Sequence, residues 1–304
     1  MHSFIEILIF LALGIGVQRW MRLPAVTPLK LNQFVINVTL PAVVLLNIPQ
    51  LAIDRELLFP MFAGWLAVAM CAAAVMIASR LLGWRREVTG CLLLVAVLGN
   101  TSYLGFPMVV TLFGNSGLGY AIIYDQLGNF VPLAVYGTIV VALFSPRDEK
   151  ISVPLVLRRI LSFPPFVALL IALFVPLDYP RWLESLLSYV SLTMVPLTMF
   201  IIGLQFRLRV DPHDRVPLLL GLTIKMVLAP LVVLLFGWQL GYRGEILGVT
   251  VFEAAMPTMV TAGAMAIAAN MAPRLSIAMI GIGLISGFVL LPLYAQGLQW
   301  LLAF

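Results

Sequence analysis

The chain has 304 residues, 62% of them hydrophobic and only 10% charged, with a mean hydropathy of +1.09. Soluble domains are roughly 45–50% apolar and about 25% charged, so this composition excludes one and marks an integral membrane protein. The net charge of +5 does not point to nucleic acid, because the basic residues form short clusters between apolar runs, where they act as topology signals.

About 20 apolar residues cross a bilayer core as a helix. On that rule the spans predicted in chain order are 3–20, 31–49, 57–79, 88–112, 119–144, 160–177, 182–206, 216–240, 245–270 and 276–303. The first follows only Met1 and His2, with no basic leader region, and reads as a retained helix rather than a signal peptide. The second carries Thr39-Leu-Pro41 and the seventh Thr193-Met-Val-Pro196, each near mid-span. The fifth holds Asp125 and Asn129, and the eighth Lys225. In the tenth, Gly281, Gly283 and Gly287 permit close helix packing, within one protomer or across a homodimer. Cys71 and Cys91 lie inside apolar runs and read as small buried hydrophobes.

Two spans are interrupted. Leu98 to Gly114 reads LGNTSYLGFPMVVTLFG, with Gly99, Gly105 and Pro107 as breakers beside Asn100, Thr101 and Ser102. Thr250 to Ala266 reads TVFEAAMPTMVTAGAMA, with Glu253, Pro257, Thr258, Thr261 and Gly263. Freed backbone at bilayer depth is tolerated only where protein buries it or where it lines a watery cavity. Paired interruptions in corresponding positions of two halves point to a transporter's binding site.

The loops place fourteen Lys and Arg on one side and three on the other (Arg55, Arg181 and Arg243), with Lys225 inside a span. The positive-inside rule then puts the basic loops in the cytoplasm and both termini outside the inner (plasma) membrane. The polar stretch 145–159 divides the chain into five spans at 1–144 and five at 160–304. An odd number per half means similar halves insert in opposite senses. The expected fold is therefore all-α: ten transmembrane helices in an inverted five-plus-five repeat.

The runs LNQFVINVTLPAVVLL from Leu31, GNTSYLGFPMVVTLFG from Gly99, AAMPTMVTAGAMA from Ala254 and ISGFVLLPLY from Ile285 resemble the auxin efflux carrier family. The resemblance spans nearly the whole chain in the right order. It implies that helices four and nine are broken and cross near the bilayer midplane. It also implies a carboxylate substrate, auxin-like or malate- or malonate-like. The long cytoplasmic loop of many plant members is missing, so the chain resembles the compact bacterial type.

Asn100 matches the Asn of the family motif, which implies contact with the substrate carboxylate; its amide offers two donors and an acceptor. The same residue could instead cap the helix half that follows it. Thr101 and Ser102 either add hydroxyls to the site or bond their own helix. Thr258 and Thr261 are the candidate ligands in the second break. Many relatives carry an amide near Thr261, which this chain lacks. Gly99, Gly105, Pro107, Pro257 and Gly263 are expected to make the breaks.

An ionisable residue inside a membrane is a functional hypothesis by default. Asp125 with Asn129 four residues on, Glu253, and Lys225 are the coupling candidates, for a proton or for sodium. Alternatives are an interfacial Asp125 and a Lys225 that snorkels to the cytoplasmic surface. His2 and His213 form no metal set, and neither a P-loop nor a nucleophile elbow is present. The sequence therefore predicts a secondary active transporter of a small organic anion, without cofactor or metal and not an enzyme, whose other partner is the lipid bilayer. The alternatives are a channel, or a membrane sensor or intramembrane enzyme, for which the dispersed Glu253, Asp125 and Lys225 are the only material.

Overall fold

The computed structural model describes residues 2–21, 24, 26–51, 55–146, 152–175, 179–206 and 211–302. Arg22, Arg147, Lys150, Arg207 and Arg209 of the basic loops lie outside these. The described residues are helical, with no strand and one isolated backbone bridge.

In chain order the helical segments are α1 (His2–Trp20), α2 (Thr27–Gln50), α3 (Arg55–Leu82), α4 (Arg86–Val95), α5 (Thr101–Leu112), α6 (Asn115–Phe144) and α7 (Val153–Leu161). They continue with α8 (Pro164–Phe174), α9 (Arg181–Gln205), α10 (Pro212–Gln239), α11 (Gly244–Ala254), α12 (Val260–Ala268) and α13 (Pro273–Leu302). Six (α2, α3, α6, α9, α10 and α13) are long and apolar enough to cross a membrane, and α7 with α8, bent by 70°, raises the number to seven.

The predicted breaks are present, but with different causes from those expected. Residues 96–100 and 255–259 leave helical geometry. Gly99 and Pro257 sit inside these gaps. Gly105 and Pro107 do not: both lie in α5, and Gly105 has helical φ −62° and ψ −55°. Gly263 is also helical, within α12. There a β-carbon would crowd Ser276 Oγ at 3.1 Å and Ile280 Cγ1 at 3.0 Å, so Gly263 allows α12 and α13 to pack closely. Part of the expected polar linker is helix too. α7 begins at Val153, capped by Ser152 Oγ accepting from the Leu155 N–H at 3.3 Å.

Four of the intramembrane prolines have a common effect. Four π-turns, Val35–Thr39, Thr101–Gly105, Tyr124–Phe130 and Ile224–Leu228, each end two residues before a proline: Pro41, Pro107, Pro132 and Pro230. In each, the residue just before the proline donates its N–H to a carbonyl five residues back, such as Leu40 to Val35 and Ala229 to Ile224. A proline clashes with the carbonyl four residues before it and lacks a donor. Widening the preceding turn relieves the clash, and π-bulges of this kind favour functional sites. Three of the four carry polar residues of the candidate site, and the fourth carries Thr39.

Helices from residues 1–144 pack extensively on helices from residues 160–304. α1 packs along α9, while α8 packs on α2; α2 also meets α9, and α3 meets α10. α1 and α9 cross at Gly14 and Gly203, where a β-carbon on Gly203 would come within 2.8 Å of the Gly14 Cα. Thr39 and Thr193, the residues of the two matching Thr-Pro motifs, share a hydrogen bond of 3.2 Å between α2 and α9.

Candidate binding site at the crossover

The two gaps meet as an antiparallel pair with Gly99 opposite Thr258. The Asn100 N–H donates to Pro257 O at 2.8 Å, and the Met259 N–H donates to Leu98 O at 3.0 Å. Each break thus satisfies the backbone that the other one freed. Thr258 Oγ1 closes a further orphan by donating to Val95 O, on the last residue of α4, at 2.7 Å.

Asn129 completes the joint from α6. Its Oδ1 accepts from the Gly99 N–H at 3.2 Å, and its Nδ2 donates to Gly99 O at 2.7 Å and to Thr101 Oγ1 at 2.8 Å. Its geometry is that of a brace. Thr101 donates in turn to Asp125 Oδ1, which also accepts from Ser102 Oγ at 2.6 Å, and Gln126 Nε2 reaches Asp125 Oδ2 at 2.6 Å. Asp125 is 1% exposed, so it is not interfacial.

Asn100 behaves differently from its neighbours. Its side chain is 4% exposed and makes no capping hydrogen bond, so the capping alternative is not what the structure has. Its amide forms part of the wall of two cavities. One, of about 620 Å³, is bounded by Asn32, Asn100, Gln205, Pro257, Thr258 and Thr261 with a broad apolar wall from α2, α9, α12 and α13. The other, of about 150 Å³, shares Asn32, Asn100, Gln205 and Thr261 and adds Thr101, Ser102 and Tyr103. Among the described residues, no Lys, Arg, Asp or Glu lines either cavity. Both breaks instead start helices there, α5 after Asn100 and α12 after Met259. The first N–H groups of a helix lack internal partners and carry the positive end of its dipole.

Thr261 faces both cavities, whereas the hydroxyls of Thr101, Ser102 and Thr258 already donate within the protein. Asn32 and Gln205 were missed by the sequence reading. Both sit near helix ends beside the basic loops, where an amide reads as ordinary interfacial polarity.

A family profile described as "Membrane transport protein" matches residues 1–295. The chain belongs to this family of membrane transporters, related to the auxin efflux carriers. It is similar to an "Uncharacterized transporter" of Methanothermobacter thermautotrophicus, 27% identical over 270 residues that cover 87% of each chain. It is also similar to the "Uncharacterized transporter MJ1031" of Methanocaldococcus jannaschii, 29% identical over 186 residues, or 58% of each chain. Family and apolar helices together make it a multi-pass membrane protein, and its relatives are transporters rather than enzymes.

The ionisable residues of this transporter converge on the joint rather than being dispersed. Lys225 is 2% exposed, does not snorkel, and donates from Nζ to Ala254 O at 2.8 Å. It makes no ion pair with Glu253: among the described residues the one pair within 4.0 Å is Arg274 with Asp211, at 3.2 Å. Glu253 is 0% exposed, and neither of its carboxyl oxygens has a hydrogen-bond partner.

Proposed function

We propose that this protein is a secondary active transporter of a small organic anion, a mono- or dicarboxylate, working by alternating access across the inner membrane. The observation that carries the reading is the Asn100 amide: buried, unpartnered within the protein, and set at the shared wall of two cavities where two helices begin. A carboxylate there would accept from Asn100 Nδ2 and from the first N–H groups of α5 and α12, with Thr261 supplying a hydroxyl. Helix N-termini favour anions without a cationic side chain. Thr101, Ser102 and Thr258 would hold the backbone in place around it.

Packing between the halves and the Thr39–Thr193 bond support a ten-helix inverted repeat, with 1–144 and 160–304 as its halves and 145–159 as a cytoplasmic linker. In that topology both termini are outside the cytoplasm. The large cavity runs from the joint to the ends of α2, α9, α12 and α13 that adjoin the basic loops, so this conformation opens inward. The pair α4–α5 with α11–α12, and the helices that pack on them, would rock against α1, α2, α8 and α9 to expose the other side.

Counterflow of labelled carboxylates in proteoliposomes tests the reading. Saturable exchange of one acid, lost in Asn100→Ala protein that remains folded, is the expected result. Normal exchange by that variant would overturn the site, and unitary conductance in place of saturable exchange would overturn the mechanism.

A further inference from the structure

Glu253 has a place in the fold that substrate binding does not explain. It lines neither cavity, yet it is fully buried in α11 two residues before the second break. Its carboxyl group lies over Gly105 of α5, where a β-carbon would come within 2.6 Å of Oε1 and 2.8 Å of Cδ. A side chain at 105 would force the carboxyl to shift. No donor reaches either oxygen, and the one other buried side-chain oxygen without a partner among the described residues is Gln126 Oε1, also an acceptor.

Charged groups nearby do not compensate. Lys225 of α10 directs its ammonium to Ala254 O, on the opposite flank by Gly99, whose β-carbon would stand 3.2 Å from Nζ. Asp125 of α6 is a second acid close enough to oppose a charge on Glu253, by more than the Lys225 ammonium favours one. The other titratable groups along the elements packed against α11 are Tyr120, Tyr124 and Tyr136 of α6, Cys71 of α3, Tyr103 of α5 and Tyr294 of α13, none of them a cation; the cationic side chains of Arg55, Arg80, Arg215 and Arg274 are exposed near the ends of α3, α10 and α13. An ionised carboxylate buried without donors is among the costliest groups a protein can hold. A metal cation would need several oxygen ligands and room, whereas Glu253 abuts backbone and no group of three His, Cys, Asp or Glu side chains able to hold a metal exists among the described residues. A proton needs no room.

We propose that Glu253 carries a proton in this inward-open conformation and that its loss is the ion-coupled step of transport. This rests on the transporter reading above. When α5 and α11 move, the Glu253 O–H bond breaks and the proton passes to water. The remaining carboxylate is stabilised by the Lys225 ammonium, and recapture of a proton resets the cycle. Glu253 thus acts as a coupling residue, and sodium has no role at this position.

Two measurements on the purified full-length protein decide it. Infrared spectra of wild type in lipid should show the C=O stretch of a protonated carboxyl, shifted by deuteration, absent in Glu253→Gln and retained in Asp125→Asn. Absence of the band in wild type, or its survival in Glu253→Gln, overturns the proposal. In proteoliposomes, Glu253→Gln should keep carboxylate counterflow within about two-fold but lose accumulation driven by a pH gradient. Accumulation driven by sodium and indifferent to pH also overturns it. The infrared band requires no substrate. A failure of counterflow in wild type therefore counts against the carboxylate reading alone.

Discussion

The two asparagines at the joint are predicted to fail in opposite ways. Asn129→Ala removes three hydrogen bonds and strands both the N–H and the C=O of Gly99 in a buried, non-helical position. Each unsatisfied buried group costs about 1–3 kcal/mol, so the loss is about 2–6 kcal/mol. At roughly 2–4 °C per kcal/mol, the apparent Tm of detergent-solubilised protein should fall by about 4–24 °C. Asn100→Ala removes an amide that bonds nothing in the protein, while its backbone N–H still reaches Pro257 O. Its Tm should change by no more than about 4 °C, on the same scale for less than about 1 kcal/mol, while carboxylate binding is lost. Thermal unfolding followed by a thiol-reactive dye at Cys71 and Cys91, both buried, reads the first effect. Substrate-induced stabilisation reads the second. If Asn129→Ala melts with wild type, or if Asn100→Ala is the less stable of the two, the division into brace and ligand is wrong.

Other substitutions probe the same joint. Gly105→Ala pushes a methyl into the Glu253 carboxyl and should cost about 1–3 kcal/mol, seen as a lower Tm. Adding Glu253→Ala should recover most of that loss, whereas Glu253→Gln, of the same shape, should not. Thr258→Val leaves Val95 O without its donor and should destabilise by about 1–3 kcal/mol, with Thr258→Ser restoring wild-type melting. Gly203→Leu cannot fit against the Gly14 backbone, so α1 should separate from α9, detected as new protease or thiol-probe access to single cysteines placed along α1.

Membrane class and family were legible because composition and motif order carry them. The positions of the breaks were legible as well, through Gly99, Pro257 and the amide and hydroxyl cluster. Their mechanism was less so. Gly105 and Pro107 look like helix breakers, but a glycine also serves where another side chain must come close, and a proline can widen a turn without ending the helix. Sequence distance hid the convergence of Asp125, Glu253 and Lys225. They are far apart in the chain and meet only because the breaks pack against α6 and α10. Asn129 read as a companion of Asp125 at helical spacing; in the π-turn Tyr124–Phe130 the two are linked through Thr101 instead. Asn32 and Gln205 carried no local signal, since their importance comes from facing a cavity assembled by other helices.

Among the described residues no cation lines the cavities, which suits a carrier. A lysine or arginine buried against a carboxylate would be left as an uncompensated buried charge whenever the substrate departs, at a cost of about 3–5 kcal/mol. A carrier must release its substrate on the far side, so affinity has to be moderate. Two helix N-termini supply about 0.3–1 kcal/mol each at exposed sites and up to about 2 kcal/mol when partly buried. Those donors belong to α5 and α12, which the backbone bridge between Gly99 and Thr258 joins into one unit. Lys225 contributes from behind that bridge, tied to Ala254 O and lining neither cavity, so its charge biases the joint without gripping the ligand. The unit proposed to attract the anion is also the unit proposed to move, and rocking it would change the solvent exposure of every donor at once. Weak, shared and mobile donors thus serve alternating access better than one fixed charge could.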